Sequence, residues 1–210
     1  MRMISRQFAG PNGLFGRFIG RAMARSNGEF SRWVVQELSH QQLNAGGRIV
    51  ELGPGPGVGL EEALQRFPRA RVWGVDISPE MISQSRNRNQ ALIDSGRLTL
   101  ILGSVERLAE IAPIDVVFGN HVLYFWHDPA LVLQQIHGFL RPVGVLALGY
   151  QLKRNMPPMA QKYFPLDGHR LYEADDQVDA LLRAAGFATI DHRIKGSPET
   201  PEGRVAIATA

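Results

Sequence analysis

The chain has no cysteine, which removes disulfides, thiolate metal ligands and cysteine nucleophiles together. It has no run of eighteen or so consecutive apolar residues, so no membrane-spanning helix is expected. The N-terminus lacks an apolar stretch leading to a small-residue cleavage site, so the expected compartment is cytoplasmic rather than secreted. His127, His169 and His192 do not share metal-ligand spacing, and no metal site is expected. Internal repeats and low-complexity tracts are also absent. What is present suits one substantial core: 210 residues, 44% of them hydrophobic. The net charge of +3 hides an asymmetry, because the first 36 residues carry six arginines against Glu29 alone, a local +5. The basic character thus belongs to an N-terminal arm. We place the arm at residues 1–45 and the main domain at 46–210.

The central feature is Arg48-Ile49-Val50-Glu51-Leu52-Gly53-Pro54-Gly55-Pro56-Gly57-Val58-Gly59. A short apolar run breaks into alternate glycines, and a helical pattern resumes at Val58. Strand, glycine turn and helix bring backbone close to a nucleotide-like ligand in α/β sheets. A dinucleotide fingerprint would require Gly-x-Gly-x-x-Gly, but the third position is Val58 when counted from Gly53 and Leu60 when counted from Gly55. The pattern is instead Glu-x-Gly-x-Gly-x-Gly. Glu51 would repel a pyrophosphate but suits a ligand carrying a cationic amine. This stretch resembles the first motif of class I S-adenosylmethionine (SAM)-dependent methyltransferases. An NAD-dependent oxidoreductase and a non-catalytic SAM-binding module remain the alternatives.

A second apolar strand ends at Asp76, 25 positions after Glu51. An acid there can accept both hydroxyls of a ribose. It would serve NAD as well as SAM, and Ser78 followed by Pro79 already supplies a helix cap. The resemblance places the cofactor on Glu51, Gly53, Gly55, Gly57, Asp76, Ile77, Met81, Ser104, Val105 and Asn120. Many relatives hold the adenine amino group with an acid where this chain has Ser104, with Glu106 two positions later. SAM would leave as S-adenosylhomocysteine.

The Arg141-Pro142-Val143-Gly144 turn and the stretch from Asn120 to Trp126 resemble a group of small bacterial class I enzymes, related in pattern to ubiquinone and phospholipid methyltransferases. That resemblance implies an α/β, Rossmann-like fold with a seven-stranded, mostly parallel sheet. The implied order is 3-2-1-4-5-7-6, with the last strand antiparallel, helices on both faces and the helical arm in front. Strands are expected at 71–78, 98–102, 114–119 and 145–150, and a terminal hairpin at 187–195 and 203–209. Helices are expected at 30–43, 60–67, 79–93, 129–140 and 175–186, with a long loop over 151–172.

Methyl transfer requires a base only when the acceptor must lose a proton. Candidates are His121 and Tyr124 after the fourth strand, with Tyr150 after the fifth. The acceptor is expected to be a small molecule or lipid-like. Nucleic acid is not expected, because the Asn/Asp-Pro-Pro-aromatic tetrapeptide of base-amino methylases is replaced by Asn120-His121-Val122-Leu123. Leu14, Phe15, Phe18, Ile19, Ala22 and Met23, beside Arg17, Arg21 and Arg25, predict an amphipathic helix. It would act as a lid over the site or as a peripheral membrane contact. Oligomeric state has no sequence signal.

Overall fold

The strands alternate their side chains between two covered faces, and this places the core. The computed structural model describes residues 27–41, 47–163 and 170–210. Its seven-stranded sheet consists of β1 (Arg48–Leu52), β2 (Arg71–Asp76), β3 (Leu98–Leu102), β4 (Ile114–Asn120), β5 (Leu140–Tyr150), β6 (Thr189–Gly196) and β7 (Pro201–Thr209). The order is β3-β2-β1-β4-β5-β7-β6. The first five strands run parallel, and β7 pairs antiparallel with both β5 and β6, as expected.

Ile49, Val116, Ala147 and Ile207 point to one face, and Val50, Val117, Leu146 and Ala208 to the other. With both faces buried, these strands read as continuous apolar runs. The first face is covered by α1 (Gly28–Ser39) and α2 (Val58–Arg66), through Val34, Leu38, Leu60 and Leu64. The second is covered by α5 (Pro129–Phe139) and α7 (Asp175–Ala184), through Leu133, Ile136, Val178 and Leu182. Two helices, α3 (Pro79–Arg88) and α4 (Gln90–Asp94), connect β2 to β3, and α6 (Pro158–Tyr163) lies in the connection after β5. Among the described residues no helix is long and apolar enough to cross a membrane.

Three details differ from the sequence pattern. The single helix expected at 79–93 is broken at Asn89, whose side-chain amide donates to the Gly57 carbonyl at 3.0 Å and the Ser85 carbonyl at 3.1 Å. That contact ties the break to the glycine loop. The Arg141–Gly144 turn is absorbed into β5, with Val143 at a positive φ of 59° and a register shift between Ile114 and Val116. The helix of residues 28–39, placed in the arm by charge, packs as part of the first face: Phe30 fills space left open by Gly149 and Gly203, where a Cβ would come within 2.9 and 2.3 Å of its ring. The helix expected at 12–26 lies outside the described residues, as do residues 164–169 of the 151–172 loop.

Candidate active site

A cavity of about 750 Å³ opens across the C-terminal ends of the parallel strands, where an α/β sheet binds its ligands. Its floor is the turn after β1. Gly53 adopts φ 63°, and a Cβ there would lie 2.5 Å from the Val122 side chain. Gly55 adopts φ 51° with nothing within 4 Å of a Cβ, so its main chain faces open space. Only glycine combines this backbone conformation with so close an approach. Gly57, expected beside the ligand, does not line the cavity; it caps α2 in a left-handed conformation and packs against Ser85 and Asn89.

Two acids lie behind this turn. Glu51 is 2% exposed, and its Oε2 has no hydrogen-bond partner. Burial and then the nearby Asp76 charge push its carboxyl up to about 8, against smaller lowering effects from Asn120 and the Leu60 backbone. Gly59 makes room for it, since a Cβ there would sit 2.3 Å from Glu51 Oε1. Asp76 ends β2 with Oδ2 accepting from the Gly55 N–H at 3.2 Å and Oδ1 from the Ser78 N–H at 2.9 Å. Burial outweighs those bonds and raises its carboxyl to about 6. The Ser78 hydroxyl accepts from the Met81 N–H at 3.3 Å, so the helix cap is Ser78 and not Asp76.

Ile77, Met81, Ser104, Val105 and Asn120 all line the cavity. Ile77 is 59% exposed, an apolar surface left open at the mouth. The Ser104 hydroxyl donates to the Glu106 carboxylate, so these two neighbours act as one polar unit. Asn120 has both side-chain polar atoms buried and unpartnered. A buried polar group without a partner costs free energy, and a ligand can supply the missing bond.

The catalytic candidates separate in space. His121 lines the cavity at a φ of 57°, with its N–H donating to the Gly149 carbonyl at 2.8 Å. Its ring stacks on Phe30 at 4.8 Å and faces Tyr124 at 6.1 Å. Burial lowers its pKa to about 4, so the imidazole is neutral at physiological pH. Tyr124 is fully buried and does not line the cavity. Its hydroxyl accepts from the Gln151 N–H at 2.5 Å and donates to the Gln151 carbonyl at 3.1 Å, pinning the end of β5. Tyr150 is also away from the cavity; its hydroxyl donates to Asp175 at 2.6 Å and lies 3.3 Å from His192 Nδ1. Burial pushes both phenols up, away from proton exchange near neutrality.

Sequence reasoning passed over several wall residues. Gly59, which continues the alternate-glycine spacing, is not one of them; it makes room for Glu51 behind the turn. Asn27, just before α1, Ser31 within it, Trp126 and Gln151 line the cavity, and they carry no local signal because tertiary packing brings them there.

The residues fit SAM. The Glu51 carboxyl, with Oε2 unpartnered, and the Asn120 amide can meet a charged amino acid moiety, Asp76 can accept ribose hydroxyls, and Ile77, Met81 and Val105 offer apolar surface to a base. A methyltransferase-domain family profile matches residues 50–148. Trans-aconitate 2-methyltransferase of Azoarcus sp. (strain BH72) is 36% identical over 118 residues, 56% of this chain and 44% of that protein. The chain therefore spans less than half the length of that relative. An uncharacterized methyltransferase of Bacillus subtilis (strain 168), YdaC, is 28% identical over 178 residues, covering 84% of this chain and 89% of the other. Among solved structures, the CMeT domain of the citrinin polyketide synthase superposes with a TM-score of 0.75 at 18% identity, covering 97% of this chain and 59% of that one, a likeness of fold. The glycine turn, the two acids at the ends of β1 and β2 and the sheet order agree with these matches: residues 50–148 form a methyltransferase domain of the class I, S-adenosylmethionine-dependent kind.

Proposed function

We propose that the protein transfers the methyl group of SAM to a small-molecule acceptor. The observation that carries this reading is one cavity in which buried Glu51, with its Oε2 unpartnered, and the unpartnered Asn120 amide lie with the open Gly53–Gly55 turn, while His121 lines the same cavity. When bound, SAM supplies a methyl group on sulfonium sulfur, and the sulfur–carbon pair returns to sulfur as the acceptor–carbon bond forms. The chain's own task is alignment, a proximity effect. Asp76, held by two backbone N–H groups, presents a fixed carboxylate. Glu51 presents a negative charge once a cation arrives to stabilise it. Val122 occupies the space left by Gly53 and Gly119, locking the loop that carries His121 against the glycine turn.

The trans-aconitate relative is named for a small-molecule acceptor, which supports this substrate class over nucleic acid. The missing third glycine of the dinucleotide pattern also disfavours NAD. Calorimetry with SAM and NAD, followed by S-adenosylhomocysteine formation with an acceptor panel, tests the reading. SAM binding with transfer supports it; NAD binding tighter than SAM overturns it.

The arm is part of the same proposal. Asn27, the first described residue, lines the cavity, and the apolar stripe beside Arg17, Arg21 and Arg25 leads us to assign residues 1–26 the role of a lid. Hydrogen exchange over residues 12–26 should slow with SAM; slowing with anionic vesicles alone, reversed by salt, would replace the lid with a membrane contact.

A further inference from the structure

A chain of polar side chains closes the corner where β5, β6 and α7 meet. Tyr150, the last residue of β5, donates its hydroxyl proton to Asp175 Oδ1 at 2.6 Å. The same hydroxyl oxygen lies 3.3 Å from Nδ1 of His192 on β6. On the other side of the ring, His192 Nε2 lies 2.6 Å from Asp179 Oδ1, one turn along α7 from Asp175. Arg204 of β7 donates from Nε to Asp175 Oδ2 at 3.0 Å. Burial raises the Asp175 carboxyl, but the bonds from Tyr150 and Arg204 outweigh it and hold the group below the ordinary carboxylate range. Asp175 is therefore an ionised acceptor, and Tyr150, whose phenol burial pushes up, keeps its proton.

The contacts Tyr150–Asp175, Tyr150–His192 and His192–Asp179 need one proton each. Tyr150 brings one and spends it on Asp175. The Asp179 carboxylate only accepts, so His192 must be the donor in both of its contacts. An imidazole with both nitrogens protonated completes the set. A neutral imidazole brings one proton too few: either its bare Nδ1 faces the Tyr150 oxygen, or Tyr150 turns its proton to Nδ1 and abandons Asp175. One hydrogen bond is lost either way. We propose that this chain is a latch set by the second ring proton of His192, clamping α7 to the sheet when that proton is present and loosening α7 and the cavity wall rooted on it when the proton leaves.

The latch reaches the cavity by two routes. Tyr150 directly precedes Gln151, which lines the cavity and whose side-chain amide donates to the Glu202 carbonyl at 2.6 Å. The segment that leaves Gln151 adds Pro157 and Ala160 to the wall. It returns to α7 through Tyr172 and Glu173, which Lys153 ties back with an N–H to the Tyr172 carbonyl at 2.8 Å and an ion pair to Glu173 at 2.6 Å. His192 is thus a positioning residue for the wall and stands behind it. The charged groups around its ring are Asp175 and Asp179 from α7 and Arg204 from β7. Its β6 neighbours Asp191 and Arg193 alternate to the other face and pair with each other at 4.0 Å. The His192 side chain is 23% exposed, so its proton exchanges with solvent. The latch belongs to the fold's own wall and stands apart from the methyl-transfer reading.

The test uses the full chain without added ligand, from about pH 5.5 to 8.5, which spans the range in which imidazole titrates. Histidine NMR gives the midpoint at which His192 loses its second ring proton. Amide hydrogen exchange over residues 151–163 and 175–184, corrected for the intrinsic effect of pH, reports the opening of the wall and of α7. Exchange in both segments should quicken by about 3- to 10-fold, the loss of one net hydrogen bond, with the same midpoint as His192. His192→Gln has no ring proton to lose, so it should exchange at the faster rate already at pH 5.5 and show no step. The step should shrink in Tyr150→Phe, which removes the hydroxyl that the second proton serves. Exchange that stays level while His192 titrates, a step with a different midpoint, or a step that persists in His192→Gln overturns the latch. Should His192→Gln fail to fold, the two midpoints in the unaltered protein decide alone.

Discussion

The two ends of the cavity solve opposite problems. At the glycine-turn end, Glu51 and Asp76 have carboxyls raised to about 8 and about 6, and Glu51 Oε2 and the Asn120 amide have no partners. At the other end, His121 is stacked and its pKa is lowered to about 4, while Tyr124 and Gln151 satisfy each other. The first end holds unmet electrostatic demand that a cation relieves. The second is built around a neutral imidazole and a mutually satisfied Tyr124–Gln151 pair. The difference teaches that cofactor affinity should respond steeply to charge and pH, whereas the acceptor end should respond to shape and to hydrogen bonding.

The largest expected effect breaks the comparison at the cofactor end. Asp76→Ala should weaken SAM binding by about 2–4 kcal/mol through loss of two hydrogen bonds to a charged acceptor, a roughly 30- to 1000-fold rise in Kd. Calorimetry on the folded variant decides it, and unchanged affinity would remove Asp76 from the site. The next effect lies at the other end. His121→Gln should lower kcat by about 100-fold with a hydroxyl acceptor while SAM affinity stays within about 2-fold. A preserved kcat would show that alignment alone suffices.

A third prediction concerns pH and the ligand-free protein. Glu51 has a folded pKa of about 8 against an ordinary 4.5, so the folded state holds a proton that the unfolded chain has lost, and stability falls as pH rises across that window. His121 works in the opposite sense: with its pKa lowered from 6.5 to about 4, stability falls as pH drops across that window. Asp76, raised from 3.8 to about 6, acts with Glu51 at the acid end. Above pH 6.5 only the Glu51 loss remains among these three. Glu51→Gln should therefore raise the Tm of the ligand-free protein at pH 8.5 by about 3 °C for each 1 kcal/mol recovered, with less gain at pH 6. The same variant should bind SAM more weakly. A lower Tm at pH 8.5 would show that the carboxylate is not strained in the empty site.

The smallest effect is at the pin. Tyr124→Phe removes the hydroxyl from both Gln151 backbone contacts and should cost about 1–3 kcal/mol of stability, read by urea unfolding. SAM affinity should be nearly unchanged, because the side chain does not reach the cavity.

These regions also differ in how much of them a linear reading reveals. Glu51, the turn glycines and Asp76 lie in one strand–turn–helix and the strand beside it, so spacing alone brings them together. Gly57 has the right spacing and a different task, because Asn89 and Ser85 occupy the space beside it and only the fold shows that. The break at Asn89 was not legible either: residues 79–93 hold helical periodicity throughout, and the interruption serves a hydrogen bond to a loop 32 positions earlier. Asn27 and Ser31 reach the site because Phe30 is wedged against Gly149 and Gly203, strand glycines far away in sequence. Tyr124 and His121 are three positions apart on one short loop, yet one faces the cavity and the other the core. Direction of that kind follows from the positive φ at His121, which the residue type does not announce.

The most direct test of the account is the proton count on cofactor binding. SAM titrations at pH 7 in buffers of different ionisation enthalpy measure it. Glu51 is protonated in the empty site at that pH and must ionise beside a cationic amine, so about one proton should be released per SAM bound, and the release should vanish in Glu51→Gln. Binding with no proton release, or release that persists in that variant, would contradict the account.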